Sequence, residues 1–395
     1  MPPRSSSPRH AIAVALLGNF VVGSGVLVVP GMLDQLARDL AVSVPTAGSL
    51  LGLAALAMCI GAPLGAALTS TIDRRRLLVA ALIVLAVGHL LCALAPSYGV
   101  LAWVRPFSVL GAAVFTPQAA ATLALMVPVE QRAQALTTAF VGWSLASVLG
   151  MPLGNLVAEG LSWRGSFALV AMLGFAAALA VWRVIPAGLQ VPPLSLGSWA
   201  EVARHRRLSL VIAATMAWCA GHFTVLGYIT PALRTGLGAS AATQALLMGL
   251  MGVAGLAGNV MLSRRISRIG ADRGARIFLG CVLAGLVLWT LALVGLRSLP
   301  ATALAILVWG LGNFAFISAQ QARLAQTAPA LASASIALNS SSLYAGQALG
   351  AMLGGLVVAG FGYDLLGPIA VALIGAAWAL SRRAERQTEP PPGAA

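Results

Sequence analysis

The sequence predicts an all-α integral membrane protein, with twelve transmembrane helices in two pseudo-symmetric six-helix bundles. Of its 395 residues, 59% are hydrophobic and only 9% are charged, whereas soluble domains carry about 25% charged residues. Apolar runs of membrane-spanning length recur along the whole chain, separated by short polar breaks. The arginines collect in alternate breaks, which is typical of a chain that crosses a membrane repeatedly.

Twelve apolar runs are expected to cross the membrane one after another. A helix needs about 20 apolar residues to span the hydrocarbon core. In hydrocarbon every backbone amide must be paired within its own segment, so these runs are expected to be helical. The first run has 23 residues, too long for a signal-peptide core, and is expected to stay uncleaved. The expected spans are 11–33, 46–68, 77–95, 100–125, 134–158, 165–185, 209–232, 241–262, 275–297, 301–322, 331–359 and 366–381.

The longest polar break divides these spans into two sets of six. It begins with a Pro-rich stretch and ends with a basic one, which is typical of a linker. The residues after 382 are polar and Pro-rich, so we expect them to be disordered. The expected domains are an N-terminal bundle at 1–185, a cytoplasmic linker at 186–208, a C-terminal bundle at 209–382 and a tail at 383–395.

An internal repeat supports the division into halves. At a constant offset of 201 residues, Pro30 falls on Pro231 and Phe115 falls on Phe316. Matches at one offset within corresponding spans indicate two copies of one six-helix unit. Parallel repeats of this kind occur in secondary transporters.

The distribution of arginine predicts the orientation of the chain. With the N-terminus in the cytoplasm, 19 arginines flank the spans on the inner side, 4 on the outer side, and Arg105 lies within a span. The positive-inside rule then places both termini in the cytoplasm. The same distribution explains the net charge of +14 by topology, so we expect no nucleic-acid partner.

The fifth span carries a glycine–proline motif. Gly142 and Gly150 are eight residues apart, and Gly150, Pro152 and Gly154 form a G-x-P-x-G ending. Glycine permits another helix to approach closely, and proline removes one amide donor and bends the helix. The motif is similar to the antiporter signature of efflux proteins, although ordinary small-residue packing is an alternative.

The loop between the second and third spans carries a second motif. It contains Gly65, Asp73, Arg74, Arg75 and Arg76. This arrangement is similar to a loop signature of glycine, acid and basic residues, but the first acid of that signature is missing. Positive-inside anchoring explains the arginines equally well.

With the glycine ladder of the eleventh span (Gly346, Gly350 and Gly354), these motifs make residues 10–382 resemble the major facilitator superfamily. Within it, the closest likeness is to drug/proton antiporters and sugar-efflux-like (chloramphenicol-resistance-like) bacterial exporters. The resemblance implies a monomeric secondary transporter that exports drug-like, sugar-like or metabolite molecules by proton antiport with alternating access. The resemblance also implies a multi-pass protein of the bacterial inner membrane, with a role in multidrug resistance. The expected partners are a small-molecule substrate, protons and the lipid bilayer.

Other classes of function remain as alternatives. An uncoupled uniporter of a neutral solute is the nearest, and a receptor or scaffold is remote. A membrane-embedded enzyme is equally remote, because the chain has no H-E-x-x-H motif and no paired intramembrane acids. The four cysteines lack metal-ligand spacing, so no metal or cofactor is expected.

Proton coupling has few candidates in this sequence. All ten acidic residues lie in loops, tails or helix ends, so no carboxylate is expected in mid-membrane. The resemblance implies a coupling role for Arg105, with snorkelling to the headgroups as the alternative. His222 can titrate near neutral pH, although packing is an alternative. A packing role with hydrogen bonds is expected for His89. Asp34 is the third candidate, with a surface pair with Arg38 as its alternative.

The substrate cavity is expected to be lined by polar and aromatic residues of six spans. Buried polar groups in a membrane need hydrogen-bond partners, so a cluster of them indicates bound water or a ligand. A single buried polar group can equally well form a hydrogen bond between two helices. An aromatic, acid-free lining favours a neutral or amphipathic substrate. The candidates are Asn19, Ser24, Gln118, Trp143, Ser144, Trp218, Tyr228, Asn313, Gln320, Asn339, Tyr344 and Gln347.

Overall fold

Twelve long helices follow one another along the chain in this computed structural model, which describes residues 8–69, 71–190 and 196–387. No strand occurs in those ranges. The twelve helices are α1 (Pro8–Gly31), α2 (Val44–Leu68), α3 (Arg74–Ala93), α4 (Tyr98–Met126), α5 (Val129–Leu145, Ala146–Gly150 and Met151–Gly160 in succession), α6 (Trp163–Val184), α7 (Arg206–Leu226), α8 (Ala241–Ile269), α9 (Ala271–Leu296), α10 (Leu299–Thr327), α11 (Ala332–Phe361) and α12 (Leu366–Glu385).

These helices confirm the predicted all-α membrane fold. Of the described helices, eleven are long and apolar enough to cross a membrane. The twelfth, α12, ends in Arg382 and Arg383, which shorten its apolar stretch. Each predicted span coincides with one helix. The end predicted for the seventh span is wrong, because α7 stops at Leu226 and a separate short helix runs from Ile229 to Leu237.

Serine caps give four of the even-numbered helices, α2, α4, α8 and α10, matching starts in the two halves. Ser43 and Ser97 accept hydrogen bonds from backbone N–H groups at the starts of α2 and α4. Ser240 and Ser298 do the same for α8 and α10. A serine cap satisfies a backbone donor that the first turn leaves unpaired. The repeat detected in the sequence therefore extends to local structure.

The glycine motif of α5 brings its backbone against α1. A Cβ atom at Gly142 would lie 2.3 Å from the carbonyl oxygen of Leu16. In the other half, a Cβ atom at Gly346 of α11 would lie 2.3 Å from the carbonyl oxygen of Met216 in α7. Only glycine fits at such distances. The α1–α5 and α7–α11 pairs are therefore the same packing unit in two copies.

The two sets of helices meet along α2 and α11 and along α5 and α8. α1 begins and α12 ends at one face of the bundle, which also holds Arg74, Arg207 and Arg323. We call this the basic face and the other one the opposite face. The domain bounds 1–185 and 209–382 remain a prediction, and the expected linker contains a short helix, Leu196–Arg204. Most of the expected tail, 388–395, lies outside the described residues.

Candidate functional site

An ion pair between the halves closes the opposite face. Arg234, in the short helix after α7, places Nε 2.9 Å from Oδ2 of Asp34, which follows α1. Arg38 instead lies 3.7 Å from Glu159 at the end of α5, so the expected pairing of Asp34 with Arg38 is replaced. Burial raises the pKa of Asp34 above its ordinary value, although Arg234 and Arg38 act to lower it. The surroundings of the Asp34 side chain therefore disfavour its charged carboxylate form.

Backbone and amide contacts reinforce this closure. The Thr230 hydroxyl donates to the Pro30 carbonyl across the halves at 2.9 Å. Asn155 of α5 donates to the Gly31 carbonyl at 2.6 Å, and its amide nitrogen lies 3.4 Å from Oε1 of Gln244 in α8. Apolar side chains from both halves, including Leu36 and Leu233, share one core beneath these contacts. We refer to these polar contacts and the Asp34–Arg234 pair as the opposite-face contacts.

Arg105 of α4 is completely buried and points into its own half. Its Nη2 donates to the Gly25 carbonyl of α1 at 2.8 Å, and its Nη1 donates to Oγ of Ser108 at 3.2 Å. Nη1 also lies 3.0 Å from Nε2 of His89 in α3. This position excludes snorkelling to the membrane surface. No carboxylate is among the described contacts of this guanidinium.

His89 has a defined tautomer in this cluster. Its Nδ1 lies 2.8 Å from the Leu85 carbonyl, and since a carbonyl only accepts, Nδ1 carries the proton. An arginine only donates, so Nε2 is the bare acceptor for Arg105. His89 is therefore a neutral imidazole that accepts a hydrogen bond from the buried cation Arg105.

A second polar cluster joins α1, α4 and α5 in the same half. The Thr116 hydroxyl donates to Oδ1 of Asn19 at 2.8 Å and accepts from Nε1 of Trp143 at 3.2 Å. Asn19 also donates to the Ala139 carbonyl at 3.1 Å. Of the predicted cavity residues, Asn19 and Trp143 therefore lie in one cluster. Ser144, the residue after Trp143, is also buried. Thr116 was missed, although a threonine within an apolar span was a usable signal.

Aromatic rings surround His222 in the C-terminal half. Trp218, one turn earlier on α7, stacks on the imidazole with ring centroids 5.3 Å apart. Nε1 of Trp309 in α10 donates to Nδ1 of His222 at 3.1 Å, so this imidazole is also neutral, with its proton on Nε2. Phe316 packs against Trp218 at 5.4 Å. Asn313 lies between Trp309 and Phe316 on the same face of α10, toward α7.

Several predicted cavity residues have buried polar atoms without a hydrogen-bond partner among the described residues. Such atoms are rare in folded proteins, and each calls for a water or a ligand. They lie on α1, α7, α10 and α11, in both halves. They are Oγ of Ser24, Nε1 of Trp218, Oδ1 of Asn313 and Oδ1 of Asn339.

Other predicted cavity residues are used in contacts between helices. Gln118 accepts from Arg74, and Gln320 donates to the Val211 carbonyl at 2.9 Å. The hydroxyl of Tyr228 donates to the Ala351 carbonyl at 2.9 Å. Tyr344 and Gln347 are buried on α11.

The loop motif of the basic face holds the start of α3. Asp73 accepts from the backbone N–H of Arg76 at 3.1 Å, and Arg75 stacks 3.8 Å over the ring of Trp182. Arg74 is buried. Gly65 packs against Val114. The motif therefore has a structural role in its own half.

A denser charge network occupies the basic face of the C-terminal half. Asp272 places Oδ1 2.7 Å from Nε of the buried Arg323, and Oδ2 2.9 Å from Nη2 of Arg207. Arg323 also donates to Oε1 of Gln320 at 2.8 Å. The sequence placed Arg323 at a helix end, and its burial was not foreseen.

Comparisons with known proteins agree on one family. The Major Facilitator Superfamily profile matches residues 15–351. The chain is 30% identical over 369 residues to the inner membrane transport protein YdhP of Escherichia coli strain K12, covering 93% of each. It is 26% identical to a probable sugar efflux transporter of Helicobacter pylori strain HPAG1, covering 92% of each. The crystal structure of a D-xylose–proton symporter superposes with a TM-score of 0.74 at 18% identity, covering 94% of this chain and 97% of that one.

Proposed function

Because this chain belongs to the major facilitator superfamily, we propose that it exports a small molecule from a bacterial cell by proton antiport with alternating access. It is a multi-pass membrane transporter and not an enzyme. The observation that carries the proposal is the set of buried, unpartnered polar atoms on Ser24, Trp218, Asn313 and Asn339. Trp218, Asn313 and Asn339 supply a donor and two acceptors from the C-terminal half, and Ser24 supplies a hydroxyl from α1 where that helix meets α5. Binding of substrate to such groups is expected in transporters whose two bundles rock about a central site.

The proposed direction is outward. One relative is named as a probable sugar efflux transporter and another as an inner membrane transport protein. The distribution of arginines supports a cytoplasmic basic face with both termini on that side. The opposite-face contacts would then seal the outer side, and the substrate would enter from the cytoplasm.

The proposed substrate is uncharged. The acids within the described helices of membrane-spanning length, such as Glu159 and Asp272, lie at helix ends. The buried cation of the N-terminal half, Arg105, is already occupied by Gly25, Ser108 and His89. A cationic substrate would therefore meet no anion in mid-membrane, where an unpaired ion is costly, and an anionic substrate would have to displace the neutral partners of Arg105.

An uncoupled uniporter is the second candidate. The same lack of a mid-membrane carboxylate favours it, because family members commonly bind their proton on such a group. It would share the substrate site and the opposite-face contacts with the proposed antiporter. The two functions differ only in whether substrate movement carries protons with it.

A vesicle experiment separates the two. An efflux screen in cells that overexpress the chain first selects a transported compound. The purified chain is then reconstituted with a pH indicator in the lumen, and that compound is added. Antiport predicts a lumen pH change that scales with substrate flux and stops when the proton gradient is collapsed. Substrate flux with no lumen pH change would refute antiport and leave the uniporter.

A further inference from the structure

The Gly25 carbonyl of α1 lies within hydrogen-bond distance of nitrogen atoms from two other helices. Nη2 of Arg105 donates to it at 2.8 Å, and Nε2 of His89 lies 3.2 Å away. His89 does not donate to it in this tautomer, because Nε2 is bare and accepts from Arg105. The Gly25 carbonyl therefore accepts from α4, while Nε2 of His89 on α3 lies within reach and would donate to it once protonated.

Glycine at position 25 makes this three-way contact possible. A Cβ atom there would lie 2.9 Å from Nε2 of His89 and 3.3 Å from Val170 of α6. Phe167 covers the other side, with its ring centroid 5.9 Å from that of His89 and 5.6 Å from the guanidinium of Arg105. The cluster is thus enclosed by α1, α3, α4 and α6.

A proton on Nε2 would exchange the two donors. A doubly protonated imidazole has two N–H groups and no acceptor, so Arg105 loses His89 as an acceptor and keeps Ser108. Two cations would then lie 3.0 Å apart, which repel each other strongly inside a protein. The new N–H points at the Gly25 carbonyl, which it can bind in place of Arg105.

We propose that Nε2 of His89 is the proton-binding site of this transporter, and that its protonation passes the Gly25 carbonyl from Arg105 to His89. The proposal rests on the proton antiport proposed above and names the group that takes the place of a carboxylate. Arg105 of α4 and Cys92 of α3 are the titratable groups that the described contacts bring to this cluster. On α1 and α6 the facing residues, Gly25, Val170 and Phe167, do not titrate.

A small cavity adjoins the site. It has a volume of about 20 Å³ and is lined by Ser24, Ser166 and Val170 among others. A volume of this size holds one water molecule. Ser24 precedes Gly25, and its hydroxyl has no described partner. The lining is mainly apolar, and the Ser24 hydroxyl is its polar group without a described partner, between the His89 cluster and the α1–α5 contact.

Helix α1 connects this exchange to the opposite-face contacts. Gly25 is five residues before Pro30, whose carbonyl accepts from Thr230 of the other half. Asp34 follows shortly after, in its pair with Arg234. Loss of the α1–α4 hydrogen bond frees α1 to shift, and the residues that shift next are those that seal the two halves.

The test measures the distance across the opposite face as a function of pH, with protons as the only added ligand. Spin labels are attached to Asp39→Cys and Ala242→Cys, which are exposed positions of the two halves. The background lacks the native cysteines, including Cys92, and carries Asp34→Asn, so that neither group titrates. Between pH 8 and pH 4 we expect the long-distance fraction to grow, mainly at the acid end because burial beside Arg105 disfavours a charged imidazole. The growth is at most tenfold per pH unit for one proton.

The decisive variant is His89→Gln, which keeps an acceptor for Arg105 but does not titrate. We expect it to show less than about a twofold change over that pH range. The matched control is His205→Gln, an imidazole that caps α7 at the basic face and whose loss should leave the response intact. An unchanged response in His89→Gln refutes the proton site, as does a response that disappears with His222→Gln instead.

A spectroscopic measurement covers the case in which His89→Gln does not fold. In the chain with ¹⁵N-labelled histidine, the signal of His89 should change from the neutral Nδ1–H form to the doubly protonated form as the pH falls. A signal that stays neutral while the label distance changes refutes the proposal. Both measurements omit substrate, so they fail or succeed independently of the vesicle experiment that tests antiport.

Discussion

The Asp34–Arg234 ion pair predicts unequal effects for the loss of its two members. The Asp34 side chain is 11% exposed and that of Arg234 is 34% exposed. Burial raises the pKa of Asp34 even with Arg234 beside it. The closed arrangement therefore tolerates the carboxylate poorly and needs its cation. Arg234→Gln removes the cation and leaves the charge, whereas Asp34→Asn removes the charge itself.

The magnitude follows from distance and exposure. Two unit charges 2.9 Å apart attract by about 6 kcal/mol at an effective dielectric constant of 20. The net effect is smaller, because solvent reaches the partly exposed Arg234 and both groups lose hydration on pairing. We therefore expect Arg234→Gln to weaken closure by about 1–3 kcal/mol. Arg234 keeps Glu159 at 3.8 Å, so Asp34→Asn should weaken closure by less than about 1 kcal/mol or strengthen it.

The assay is the label distance between Asp39→Cys and Ala242→Cys at pH 7, in a background without the native cysteines. Arg234→Gln should change the ratio of closed to open chains by about 5- to 150-fold, since about 1.4 kcal/mol corresponds to tenfold. Asp34→Asn should leave that ratio within a few-fold of the parent. Equal losses in the two variants, or a larger loss in Asp34→Asn, would refute the reasoning.

Three further predictions concern single groups. The pKa of Asp34 is raised in the closed arrangement. Its contribution to closure is therefore fully present in acid and is lost as the pH rises through that raised value. The label distance in the His89→Gln variant should depend on pH in this way, and adding Asp34→Asn should remove the dependence. Gly142→Ala places a Cβ 2.3 Å from the Leu16 carbonyl and should lower the stability by about 1–3 kcal/mol in thermal unfolding, while Gly160→Ala, with nothing within 4 Å, should change little. Asp272→Asn leaves the buried Arg323 without its anion and should destabilise by about 1–2 kcal/mol after allowance for the exposure of Asp272, more than Arg207→Gln does in the same melt.

The fold was predictable because the membrane imposes simple rules. Span length, the need to pair every backbone amide and the arginine distribution fix the helices within a few residues. The break between Leu226 and Ile229 was not predictable, because the residues on both sides are apolar and nothing there marks a loop except Gly227. The helix pairs within each half were predictable from the glycines, because glycines that recur on one helix face mark a close contact between two backbones.

The site was only partly predictable, because its chemistry depends on contacts between distant segments. Ser24, Trp218, Asn313 and Asn339 stood out as polar or aromatic groups in apolar spans, and their unpartnered atoms agree with that reading. The partner of Asp34 was out of reach, since Arg234 lies 200 residues along the chain in the other half. The partners of His89 were also out of reach, because only the folded α1, α3 and α4 bring its Nε2 close to Arg105 and the Gly25 carbonyl.

The two halves repeat their packing but not their chemistry. Glycines of α5 and α11 bring the backbones of α1 and α7 into the same close contact. Against that common frame, the N-terminal half buries a hydrogen-bonded cation, Arg105, with His89 as its acceptor. The C-terminal half instead encloses His222 in aromatic rings, with its acceptor nitrogen already bound to Trp309. A proton on His89 breaks one link between helices and makes another, whereas a proton on Nδ1 of His222 would only break one. The imidazole able to exchange contacts is therefore in the N-terminal half, whereas that of the C-terminal half is held among aromatic rings.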